Sequence, residues 1–77
     1  MASSLPKARR IVAKLKSVGC EFWIVTGDNG KPDLVFGPNN KTDEQKDWIC
    51  NIVLTAFAMP RLYSAIIRAA IETKEAA

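Results

Sequence analysis

Residues Thr26-Gly27-Asp28-Asn29-Gly30-Lys31-Pro32 separate two short runs of aromatic and β-branched side chains, an arrangement that admits little besides a β-hairpin. The first run is Glu21-Phe22-Trp23-Ile24-Val25 and the second is Asp33-Leu34-Val35-Phe36. Both have the character of strands. Asn29-Gly30 is a strong hairpin signal, because both residues tolerate positive φ. Side chains alternate along a strand. Phe22 and Ile24 therefore share one face with Trp23 and Val25 on the other, and Leu34 and Phe36 share a face with Val35 opposite. The hairpin is thus apolar on both sides, more than one layer of helices can cover.

Helices flank the hairpin. Ser4 is placed to cap a first helix, Pro6 lies in its first turn, and Gly19 supplies its stop. Leu5, Ala8, Ile11, Val12, Leu15 and Val18 recur at three- and four-residue spacings and form one apolar arc. Lys7, Arg9, Arg10, Lys14 and Lys16 are expected on the complementary arc. These five cations exceed the whole-chain net charge of +3, so the remainder carries a net −2. After the Gly37-Pro38 turn, Thr42 and Gln45 read as a capping box, with Asp43 and Glu44 in the first turn. That second helix runs through Trp48, Ile49, Ile52, Val53, Ala56 and Phe57. Pro60 is expected to break it and to open a third helix, whose apolar face is Leu62, Tyr63, Ile66, Ile67 and Ala70. Arg61 and Arg68 fall on that helix's far side. The reading is one small α+β domain over residues 1–77, ordered αββαα, with one hairpin packed against three helices.

Seventy-seven residues, 48% of them hydrophobic, give a chain that folds but whose single core is only marginally sufficient. The surplus of apolar faces points to a homodimer. The N-terminus has no apolar stretch of the kind that marks a secretory signal. Arg61 and Arg68 interrupt the long apolar stretch and argue against a membrane span. The expected location is the cytoplasm, with Cys20 and Cys50 as free, buried thiols. Asn40-Lys41-Thr42 matches a glycosylation sequon that carries no weight without secretion.

Catalysis finds little support. The chain has no histidine, and Cys20 and Cys50 lack metal-ligand spacing. Gly27, Gly30 and Gly37 form no phosphate loop, and Asp28, Asp33, Asp43, Glu44 and Asp47 suit turns and a helix start. The expectation is a non-enzymatic binding protein without cofactor or metal.

The helix Pro6–Val18 ending at Gly19, strands Glu21–Val25 and Asp33–Phe36, the Gly37-Pro38 turn, the Thr42-capped helix and the Pro60-opened helix follow one another in a recognisable order. This order resembles the TubC-type N-terminal docking domain found at the start of some nonribosomal peptide synthetase and polyketide synthase subunits. The resemblance implies a dimeric module in which a C-terminal peptide of a partner subunit adds as a strand beside the hairpin, with charged side chains fixing specificity. By position, the binding segment is Glu21–Val25 or Asp33–Phe36, with Trp23 within it and Lys31 or the basic helix reading charge. The second helix is longer than in that family, and Glu21 and Asp33 stand where a basic ladder is expected. These 77 residues hold no synthetase domain, so the expectation widens to a free-standing adaptor, or to a small inhibitor from a phage or mobile element.

An acidic protein segment is the expected partner of Lys7, Arg9, Arg10, Lys14 and Lys16. Two other readings of the basic helix are a solvated face and a phosphate-tracking, nucleic-acid-binding helix. A membrane-surface helix is a weaker option, because the apolar arc lacks an aromatic anchor and is needed for the core.

Overall fold

The computed structural model describes residues 4–76, with side chains through Lys74. The elements are α1 (Leu5–Ser17), β1 (Phe22–Thr26), β2 (Pro32–Phe36), α2 (Asp43–Ala58) and α3 (Pro60–Ala76). The αββαα order is the one expected from the sequence, with β1 displaced by one residue and β2 beginning one residue earlier.

α1 turns Ala8, Val12 and Leu15 fully inward. Ser4 does not cap it by side chain as expected. Its backbone is already helical, and only its carbonyl contributes, accepting from the Ala8 N–H at 2.9 Å. The C-terminus ends in a complete Schellman motif, with the Gly19 N–H donating to the Lys16 carbonyl and the Cys20 N–H to the Leu15 carbonyl. Gly19 sits at φ +77°, which a side chain would oppose.

β1 and β2 pair antiparallel, Ile24 opposite Leu34 and Trp23 opposite Val35. The turn departs from the expected form. Asn29 keeps a negative φ, and only Gly30 is left-handed. The Gly30 N–H donates to the Gly27 carbonyl and the Gly27 N–H to the Lys31 carbonyl, the pattern of a three-residue loop closed by a glycine. Asn29 instead serves through its side chain, whose Oδ1 accepts from the Lys31 N–H.

The Thr42–Gln45 capping box is present in full. Gln45 does more, because its Nε2 also donates to the carbonyls of Val18 and Gly19 at 3.1 Å each. This ties the start of α2 to the end of α1. Buried Asn40 acts similarly, accepting from the Glu21 N–H and donating to the carbonyls of Glu21 and Gly37. α2 stops at Met59, whose non-helical backbone breaks the helix before Pro60, as expected.

α3 is the hub. α1, α2 and both strands all pack on it, and Leu62, Ile66, Ile67, Ala69 and Ala70 join Ala8, Val12, Leu15, Phe22, Leu34 and Ile52 in one core. Val53 and Phe57, part of the apolar pattern of α2, do not line the core, because α3, on which α2 packs, lies on its opposite side, and both are exposed. Cys50 is also exposed rather than buried, whereas Cys20 is buried, and both thiols are free. No described helix is long and apolar enough to cross a membrane.

Candidate protein-docking surface

The hairpin has two unequal edges. Hydrogen bonds from the Gly37 N–H to the Glu21 carbonyl and from the Gly27 N–H to the Lys31 carbonyl bracket the ladder. Pairs alternate in an antiparallel ladder, so Trp23–Val35 and Val25–Asp33 bond to each other. Phe22, Ile24 and Thr26 on β1, and Pro32, Leu34 and Phe36 on β2, therefore turn their main-chain groups outward.

The β2 edge is blunted. Pro32 has no N–H to offer, and the Leu34 N–H already donates to Asp33 Oδ1 at 3.0 Å and to the Tyr63 hydroxyl at 3.3 Å. Such devices keep an edge from recruiting another strand. The β1 edge has none of them. Among the described residues, nothing hydrogen bonds to the outward groups of Phe22, Ile24 or Thr26.

The surroundings of β1 are apolar and basic. Trp23, Ile24, Ile71 and Lys74 line a shallow groove of about 480 Å³ beside it. The Lys74 ammonium lies 4.6 Å from the centre of the Phe22 ring, a cation–π contact. Lys16 joins Phe22 and Lys74 around the neighbouring hollow. On the sheet's outer face Trp23 is 47% exposed beside exposed Val25 and Val35.

The five cations of α1 do not form one arc. α1 packs on α3 through Ala8, Val12 and Leu15, and residues seven apart share a helix flank. Lys7, Arg10 and Lys14 lie on one flank, where they border an open hollow floored by Ile11 and Trp48. Arg9 and Lys16 lie on the other. Arg9 is bound to Glu72 at 3.1 Å, so the basic helix does face an acid, one supplied by α3. That pairing, first through its hydrogen bond, holds the Glu72 carboxyl below its usual range. Only Lys16 of the five stands beside the open edge.

The remaining residues singled out from sequence are also divided. Glu21 lies just outside β1, with its carboxylate accepting from Asn39 Nδ2 at 2.8 Å. Lys31 and Asp33 sit at the β2 side, around a cleft that also includes Tyr63 and Ile67. Asp33 accepts from the Tyr63 hydroxyl and so serves the blunted edge. Lys74 and Ile71 were missed. They belong to α3, and only the fold brings them beside β1.

Among the described residues no group of His, Cys, Asp or Glu side chains is placed to hold a metal. Burial, and secondarily Glu44, pushes the Cys20 thiol up, away from the reactive thiolate. Comparison with protein-family models, with curated proteins and with solved structures yields no match for this chain.

Proposed function

We propose that this chain is a non-enzymatic protein-docking module that receives an extended, acidic segment of another protein as a third strand on β1. The observation that carries this reading is the difference between the two edges. One is obstructed at Pro32, which has no N–H, and at the Leu34 N–H, held by Asp33 and Tyr63, whereas the other has no such obstruction among the described residues. Strand addition takes affinity from main-chain hydrogen bonds and specificity from neighbouring pockets. Here Trp23, Ile24 and Ile71 accept apolar side chains, and Lys16 and Lys74 favour acidic ones. The element order shared with TubC-type docking domains supports the same mode, with the module acting as a homodimeric adaptor or small inhibitor in the cytosol.

A second reading has its own surface. Lys7, Arg10 and Lys14 around Trp48 offer cations and an aromatic ring, the combination that single-stranded nucleic acid uses. The two readings separate in one experiment, capture of partners from the native host with and without nuclease, using the parent chain, Lys74→Glu and an Arg10→Glu/Lys14→Glu variant. The docking reading expects a protein that survives nuclease and is lost with Lys74→Glu. Nucleic acid lost only with the Arg10/Lys14 variant overturns it in favour of the second reading.

A further inference from the structure

Helix α2 has two apolar faces, and the fold uses one. Gln45 and Ile52 are buried and Trp48, Ile49 and Ala56 half-buried along one side, with Ile52 in the core and Trp48 packed against it. At about 100° per residue, Cys50, Val53, Leu54 and Phe57 fall within an arc on the opposite side. All four are exposed, Leu54 at 58% and Phe57 at 83%. An apolar helix face of this kind is normally covered. Among the described residues, nothing covers this one.

The size and charge of this face select its occupant. With Met59 it presents roughly 400 Å² of apolar side chain, the scale at which an exposed patch marks an interaction site. Two such faces against each other, with their polar rims, reach roughly the 1,000 Å² at which a specific interface begins. A two-fold contact needs only this one patch, because each copy supplies the other's cover. Orientation follows from the flanks. Asp43, Glu44 and Asp47, with Lys46 among them, leave the N-terminal end of α2 net acidic, while no acid lies in its last turn and exposed Arg61 follows it. Parallel helices would stack acid on acid. Antiparallel helices separate the acidic ends, carry each toward the other copy's Arg61 end, and oppose their dipoles favourably.

We infer that the outer face of α2 is the seam of a homodimer in which two α2 helices cross antiparallel at Leu54. The inference rests on the dimeric part of the function proposed above and does not depend on strand addition at β1. In this crossing Leu54 meets Leu54 of the partner subunit, and Cys50 packs toward the partner's Phe57. The two Cys50 residues lie about 12 Å apart along the helix axis, too far for a disulfide.

Sedimentation equilibrium of the full chain up to about 100 µM, where weak dimers persist, tests the seam with Phe57→Glu and, in parallel, Leu54→Lys. The parent is expected to dimerise. Either variant should weaken dimerisation by about 30-fold or more, as loss of an interface anchor does. Circular dichroism should remain unchanged, because neither side chain belongs to the core. Under mild oxidation, Leu54→Cys in a Cys20→Ala/Cys50→Ala background should cross-link, whereas the parent's Cys50 should not. A parent that stays monomeric overturns the dimer and its seam together. A folded Phe57→Glu or Leu54→Lys protein that dimerises at parental strength overturns the seam alone. Covalent dimers through Cys50 without cross-linking at position 54 overturn the antiparallel crossing.

Discussion

The Tyr63 hydroxyl donates to the Asp33 carboxylate, and the Leu34 amide between them points at both. This contact spans thirty residues and joins α3 to the edge of β2. It closes that edge to other strands while fixing the hairpin on the hub helix.

Replacing Tyr63 with Phe should destabilise the fold by about 1 kcal/mol, the usual net value of one hydrogen bond. Leu34 retains its bond to Asp33, so the loss stays modest. The replacement should also change the response to alkali. Burial first, and the Asp33 hydrogen bond second, hold the Tyr63 hydroxyl above its ordinary range. Its protonated form is therefore favoured in the fold. This contribution is complete below the ordinary phenol value of about 10 and is lost as pH rises through the raised one. Urea denaturation at neutral and alkaline pH should show the parent losing its advantage over Tyr63→Phe only in alkali.

Gly37 has no freedom to gain a side chain. A Cβ there would collide with the Glu21 carboxylate, which can swing aside, and stand 2.8 Å from the Trp23 ring, which cannot do so as easily. Gly37→Ala should therefore displace Trp23 and cost about 1–3 kcal/mol, as overpacking does. Thermal melts and a shift in tryptophan emission would register both effects.

The two thiols should react in separate phases. In the monomer, at dilution below the concentration at which the α2 seam forms, Cys50 is exposed and should be modified by a thiol reagent at once, while buried Cys20 should wait for the fold to open. Timed mass spectrometry should show one rapid addition and one slow one, the slow phase accelerating in denaturant. Replacing both cysteines with alanine should cost roughly 1–2 kcal/mol, nearly all of it at Cys20.

Thr26→Pro should remove one outward amide from β1 without touching the ladder, since the Thr26–Pro32 pair makes no cross-strand bond. Affinity for the strand-forming partner should fall about ten-fold, the effect of one unsatisfied buried group. Titration of the captured partner segment against the parent and the variant measures it. An unchanged affinity would move the docking site away from this edge.

What the sequence disclosed was whatever depends on neighbours along the chain. Gly19, the Thr42–Gln45 box and the Pro60 break each act within a few residues, and each appears where local chemistry puts it. The alternation of the hairpin was legible for the same reason. The burial of Asn40, the reach of Gln45 to the end of α1 and the Tyr63–Asp33 contact were not, because their partners lie 19 to 30 residues away. The five cations of α1 misled in another way. Helical spacing shows which residues share a flank, but only the position of α3 decides which cation meets an acid and which stands beside β1.

α3 is also the element made last among those described, and this orders events on the ribosome. α1 and the hairpin bury their apolar sides on residues that do not exist until the chain has passed Ile66 and Ala70. The Arg9–Glu72 pair must close across 63 residues. Assembly from such distant contacts is slow to begin, since the loop must close before any contact rewards it. The nascent chain therefore carries Phe22, Leu34 and the α1 stripe uncovered until α3 is made, and the core closes only then.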